Sequence, residues 1–433
     1  MQTDISLSAE ARKDKLLKEL EKKPIGTKEL RYKGQMVSLD IHRLDLKLLV
    51  FNELNGRIGS HIQTHVRQYG QISEEVRQVL IQRFLWDSNE ARNKKTLKNL
   101  EAKGQLEPGI ITRDGVIIDG NRRAMLLNKL ASNANESEAY FKAIVLPDVL
   151  ESNKKEILRL ETEYQIGADE KVQYGPIEKY LKCRDMSAYF TTAEIAEMMA
   201  LKTPEIEKYL GIMELIDDYL KTIGCEGLYT RLEKTEDLFI NLYNALRMWE
   251  KGTGKLKWNP SASDKDDYRL VCFDYIRYTY NHKNSINPKD IRESLICNSQ
   301  NGIFSHERVW ENFRDQHFED FDEQSEESLE MLAKESVDQN VGLDKIAKRR
   351  DFDWAEKAHS RIQKNWGKAR ENVANRINAQ EPAKLLQQVE DKLETLLELD
   401  YSGKVLPGFL EQANRIRKKA EELRNNAREG MSA

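Results

Sequence analysis

The chain has 433 residues, 39% hydrophobic and 33% charged, which is enough apolar material for several cores but too much charge for one compact body. With 69 Lys and Arg against 73 Asp and Glu the formal charge is -4, so the chain as a whole has no bias toward a polyanion, and any nucleic-acid contact must come from a local patch. No run of about 18 apolar residues occurs and the N-terminus reads as an amphipathic helix rather than an export signal, which predicts a cytoplasmic protein without a membrane partner.

An N-terminal helix is expected within residues 1–28. The stretch Leu30 to Leu39 then carries strand-forming residues around Lys33-Gly34, which is hairpin chemistry and opens a sheet. His61 and His65 stand i,i+4 without a third ligand at metal spacing and read as a surface pair. Residues 73–87 place Val76, Leu80, Ile81, Phe84 and Leu85 at helical spacing behind Ser73 as cap.

Residues 96–127 are the most informative. A helix ends near Lys103-Gly104, Pro108 precedes a short apolar strand at Gly109 to Thr112, and Asp114-Gly115 turns the chain into a second strand, Val116 to Ile118. Asp119-Gly120-Asn121-Arg122-Arg123 leads from that strand into a helix expected to begin at Ala124. Such a corner favours an anion: unpaired backbone N–H groups and the positive helix end attract it, Gly120 permits close approach, and two arginines supply bidentate donors. The alternative is that Asp119 caps the helix while Arg122 and Arg123 pair with surface acids.

The run from Leu100 to Leu127 resembles the N-terminal domain of the ParB/sulfiredoxin superfamily: a helix ending in K-x-G, a P-I-I-V-like strand, a glycine turn, a strand and a G-x-R-R box. Asn52 to Arg57 is similar to the upstream N-x-x-N-x-R element, Ala143 to Pro147 to the strand after the box, and Glu161 to Gln165 with Pro176-Ile177-Glu178 to the E-N-x-Q-R … P-I-E element. The resemblance implies an α+β fold, a small mixed sheet with helices over residues 29–160, followed by an all-α region. It also implies a pocket for a nucleoside triphosphate, CTP or ATP, with Mg2+. Asn55, Arg57, Asp119, Gly120, Asn121, Arg122, Arg123 and Gln165 would hold the nucleotide and its phosphates, and Glu161 or Glu163 the metal and any catalysis. The box is nearer to the D-G-Q-x-R form of DNA-modification, plasmid-maintenance and phage-defence branches than to G-E-R-R, and residues 58–95 are longer than the matching loop of partition proteins. Asn121 stands where sulfiredoxins use cysteine, so sulfinic-acid reductase chemistry is not implied.

Residues 161–220 are expected to be helical, and 191–212 fit a helix-turn-helix pattern: Ile195, Met199, Leu201, Ile206 and Leu210 are apolar, Ala196 is small, Thr191 with Glu194 forms a capping box, and Thr203-Pro204 gives cap plus first-turn proline. For DNA reading it offers Lys202, Thr203 and Lys208, but Glu205 and Glu207 oppose phosphates, so a lid or protein-contact module is the competing use. A helical domain over 221–318 buries its recurring aromatics, with Thr253 to Lys257 and Lys265 to Asp267 as polar loop. An acidic linker over 319–345 is followed by the basic run from Lys345 to Arg350. Residues 346–433, with Leu385, Leu386, Val389, Leu393, Leu396 and Leu397 and then Leu410 and Ile416, are expected to form a helical hairpin around residues 403–408, which a homodimer would use. Cys183, Cys225, Cys272 and Cys297 have no C-x-x-C spacing and are expected as free thiols. Three functions compete: an NTP-switched, DNA-associated protein, an NTP-stimulated metal-dependent nuclease, and a non-catalytic adaptor joined to a protein partner.

Overall fold

The computed structural model describes residues 9–70, 72–134, 136, 139–149, 153–165, 175–232, 235–253, 256, 258–297, 299–321, 327–335, 342–399 and 408–432. After helix α1 (Ala9–Leu20), strands β1 (Gly26–Tyr32) and β2 (Gln35–Asp45) form an antiparallel hairpin. Its two-residue turn has positive φ at Lys33 (49°) and Gly34 (82°), which matches the right-handed twist of the flanking strands. The short β3 (Val50–Phe51) precedes three helices, α2 (Gly59–Tyr69), α3 (Glu74–Asp87) and α4 (Glu90–Lys103). Gly104, in left-handed backbone, stops α4 as expected. Then come β4 (Gly109–Ile111), β5 (Val116–Asp119), α5 (Asn121–Asn133), β6 (Tyr140–Val145) and α6 (Lys154–Gln165). The strands make one six-stranded mixed sheet, order β1-β2-β6-β4-β5-β3, with β3 parallel to β5 and β4 parallel to β6. The α+β class is therefore as expected.

Strand alternation puts one core on each side of the sheet. Leu44, Ile111, Ile117, Phe141 and Ala143 pack with Leu16 of α1, Ile81 and Leu85 of α3, Leu100 of α4, and Ala124 and Leu126 of α5. On the other side Ile110, Val116, Ile118 and Ile144 meet Ile157 and Leu160 of α6. The expected boundary at 160/161 thus cuts through α6, whose first half closes the sheet's second face. Helix α1 is likewise part of this body: Leu16 is fully buried, and the Arg12 guanidinium donates to the carbonyls of Leu48 (3.3 Å) and Asp114 (3.1 Å). Of the predicted face of α3, Val76 is exposed, and Gln78 takes an inner position by bonding both backbone groups of Phe51.

Helices α7 (Pro176–Ser187), α8 (Thr192–Met198) and α9 (Thr203–Thr222) follow. Thr191 and Glu194 make the expected capping box, and Ile195, Ala196, Met199 and Ile206 form the expected core, joined by Cys183 and Met186. At the start of α9 the cap is Lys202, not Thr203, and Thr203 is the first helical residue, because the Glu205 carboxylate accepts the Lys202 N–H at 3.0 Å. Next are α10 (Glu236–Glu250), α11 (Ala262–Asn281), α12 (Pro288–Ser294) and α13 (Glu307–Asp320). Lys265 to Asp267 lie inside α11 rather than in a loop, since Ser261 and Asp264 cap it just upstream. The aromatics are core as expected: Phe239, Phe273, Tyr275 and Tyr278 are almost fully buried. The acidic stretch contains α14 (Leu329–Glu335), whose Leu329 is buried, so its described part is not a bare linker.

Residues 1–370 form one compact unit and 371–433 a second. Helix α15 (Leu343–Leu397) runs from the first into the second, and α16 (Phe409–Ser432) completes the latter. Both expected helices exist, but Leu386, Val389, Leu393, Leu396, Leu410, Ile416 and Leu423 are all exposed, so they are not zipped into a hairpin core; residues 401–407 lie outside the described residues. All four cysteines are free, Cys297 half-buried and the others buried. Among the described residues no helix is long and apolar enough to cross a membrane. Replacing Leu16 with Ala is expected to cost about 3 kcal/mol of stability, since it empties a filled site between α1 and the sheet. Urea denaturation checks this; a loss below about 1 kcal/mol is what a detached N-terminal helix gives.

Candidate functional site

The strand-to-helix corner is tighter than the sequence indicates. Gly120, in left-handed backbone at φ 97°, is itself the cap of α5, so the helix begins at Asn121 and both box arginines sit in its first turn, three residues before the expected start. A Cβ at Gly120 would stand 2.8 Å from Phe141 Cζ, and one at Gly109 would meet the same ring and the Asp119 carbonyl. Among the described residues no side chain caps α5, so the positive end of its dipole is not met by a capping side chain. Asp119 does not cap it: its carboxylate accepts from Arg123 at 3.4 Å.

Asn121 ties this corner to the Asn52–Arg57 loop. Its Nδ2 donates to the Ile117 carbonyl (2.8 Å) and its Oδ1 accepts the Asn52 N–H (2.9 Å). Within the loop, Asn52 Oδ1 accepts from the Leu54 amide and Asn55 Oδ1 from the Arg57 amide, which fixes both side-chain amides and leaves Asn52 Nδ2 and Asn55 Nδ2 buried without a partner. Glu161 anchors the loop from α6: one oxygen accepts the Gly56 N–H at 3.1 Å and the other is paired with the ammonium of Lys182 on α7. That ion pair is essentially solvent-free, with side-chain exposures of 0% and 2%.

Above the corner lies a cleft of about 720 Å³, the size of a small-molecule site. One part of its lining is cationic: Arg57, Arg92 and Lys103 of α4, Arg122, Arg123 and Lys28 of β1, against two carboxylates, Glu107 and Asp119. The other part is apolar, with Leu30, Leu106, Ile110 and Ile144 beside Tyr164. Arg122 is half-buried; its Nε donates to Asn93 Oδ1, but its Nη2 is buried without a partner, and among the described residues no carboxylate pairs with it. Burial first, then the guanidiniums of Arg92 and Arg57, push its pKa down to about 10.

Of the residues singled out from sequence, Arg57, Asp119, Gly120, Arg122 and Arg123 line this cleft, and Asn55, Asn121 and Glu161 brace it from behind. Glu163 does not join them and takes the Arg159 guanidinium at 2.7 Å. Gln165 ends α6, its side chain outside the described residues. Lys202 caps the helix to which Thr203 and Lys208 belong, which buries Ile206, Ile212, Leu215, Ile216 and Leu220 along its length, and none of the three lines the cleft. His61 and His65 lean on the Phe84 ring, at centroid distances of 5.4 and 6.0 Å. Sequence reasoning missed Lys28, Arg92, Lys103 and Lys182. Arg92, Thr96, Asn99 and Lys103 recur at helical spacing on one face of α4, a visible stripe whose direction only the fold reveals.

The Mg2+ that the resemblance implies finds no fitting donor set. Glu161 is closed by Lys182, Glu163 pairs with Arg159, Asp119 lies 3.4 Å from Arg123, the exposed Glu107 pairs with Lys28 at 2.9 Å, and among the described residues no three His, Cys, Asp or Glu side chains gather as metal ligands. Compared with known proteins, the chain matches no family model and no curated protein. Breaking the buried pair with Lys182→Met or Glu161→Leu is expected to cost about 3–5 kcal/mol each, and the double variant less than either, because an unpaired buried charge is worse than none. Urea titrations of the three variants check the order; equal losses for singles and double run against it.

Proposed function

We propose that this protein binds a nucleotide through its phosphates in the cleft at the Asp119–Arg123 box, as a divergent ParB-like switch protein. The observation that carries the reading is the Arg122 guanidinium, buried on one nitrogen without an acceptor, crowded by Arg57 and Arg92, at the uncapped start of α5. Phosphate oxygens supply the missing acceptors, and the apolar wall of Leu30, Ile110, Ile144 and Tyr164 suits a base and sugar better than a naked polyphosphate. The order of elements around the box, helix, Gly104, strand, turn, strand, glycine, helix, supports the ParB resemblance. The pairing of Glu161 and Glu163 with basic side chains favours binding over metal-dependent DNA cleavage.

Calorimetry of ATP, CTP and GTP against wild type and Arg122→Ala tests this. Losing one charge-assisted contact is expected to weaken binding about 10- to 100-fold. The nucleotide is also expected to raise the melting temperature of wild type and leave that of the variant nearly unmoved. Because the anion needs Arg122 protonated, affinity should hold through neutral pH and decline as pH rises through about 10, where the empty site releases the proton. No heat and no thermal shift with any nucleotide refutes the reading.

We place DNA association with this switch, as the resemblance implies, and a second copy of the chain as its protein partner. Leu386, Val389, Leu393 and Leu396 on α15 are spaced three and four apart and exposed, as are Ile416 and Leu423 on α16 with Ala413 and Ala420 in register. Light scattering is expected to find a dimer that Leu393→Glu converts to monomer; a monomeric wild type refutes it.

A further inference from the structure

The chain itself already supplies the positive charge around this cleft. Both lining carboxylates are held by cations, Asp119 by Arg123 and Glu107 by Lys28. The carboxylate behind the Arg57 loop, Glu161, is fully buried, and its oxygens are taken by the Gly56 N–H and the Lys182 ammonium, which also reaches the Leu54 carbonyl at 3.4 Å. Glu161 would reach a divalent cation only by giving up Lys182 and leaving that ammonium unpaired in a dry interior. Among the described residues, the unmet polar side-chain atom that belongs to the cleft lining, Arg122 Nη2, is a donor. Donors of this kind solvate an anion and repel a metal ion.

Resting on the nucleotide reading above, we infer that the cleft takes its polyphosphate ligand as the free anion, with Arg57, Arg92 and Arg122 in the role a divalent cation ordinarily fills. Arg92, carried by α4 and absent from the motif residues, is the added cation. A magnesium complex carries two fewer negative charges into this arginine cluster than the free nucleotide does, so metal binding to the ligand competes with the protein instead of assisting it.

Full-length protein is titrated with ATP, CTP and GTP in EDTA and again in millimolar Mg2+. The dissociation constant in EDTA is expected to be no weaker than in Mg2+, and Arg92→Ala to weaken binding in EDTA about tenfold or more while melting like wild type. If the alanine variant does not melt like wild type, Arg92→Gln replaces it. Binding about threefold or more weaker in EDTA overturns the inference and leaves the nucleotide site standing; an Arg92 variant with unchanged affinity overturns the role given to that residue. Absence of binding in both media removes the nucleotide reading and this inference with it.

Discussion

A guanidinium that is half out of water, beside two others and without a carboxylate, is an unfavourable thing to hold, and the sheet half of this protein is arranged around holding one. Arg122 is fixed by Asn93, by its place in the first turn of α5, and by a corner that Gly120 makes as tight as the backbone allows. The opposing loop with Arg57 is pinned by Asn121 and Glu161. Asn93 holds the Arg122 guanidinium itself, while the Gly120 corner and the pinned loop fix the backbone that carries Arg122 and Arg57. For the nucleotide reading proposed above, such an arrangement is preorganisation: the donors are placed before the ligand is bound.

The same supports join the cleft to the helices. Lys182 belongs to α7, which packs on α8 and α9, and α2 reaches over to them as well: Ser60 donates to Glu178 at 2.7 Å, and Gln63 accepts from Arg184, which also holds Asp217 on α9. The long segment between the Arg57 loop and β4 therefore does two jobs. Its first helix fastens the helical region, and its last brings Arg92 and Lys103 to the cleft.

Local chemistry was legible in the sequence, and distant pairing was not. Lys33-Gly34, Gly104 and the capping box at Thr191 are decided within a few residues, and all stand where they were expected. The strand-to-helix corner was legible, yet α5 starts three residues early because Gly120, in left-handed backbone with the Phe141 ring against it, is itself the cap. Glu161 looked like a metal ligand since its partner, 21 positions on, shares no motif with it. Charge-rich composition also misled at Lys265 to Asp267 and at residues 329–335, where Ser261 capping and the single buried Leu329 outweigh polarity. The C-terminal helices were legible as heptads, while what covers their leucines is not written in one chain.

The Glu161–Lys182 link also bears on how this protein can be dissected. A fragment that stops at residue 160 would discard the end of α6, and one that stops at 165 would take the Lys182 ammonium away from the buried Glu161 carboxylate. A piece that keeps this pair intact extends through α7, so a cut between the sheet and its first outlying helices, which the sequence invites, severs a buried ion pair.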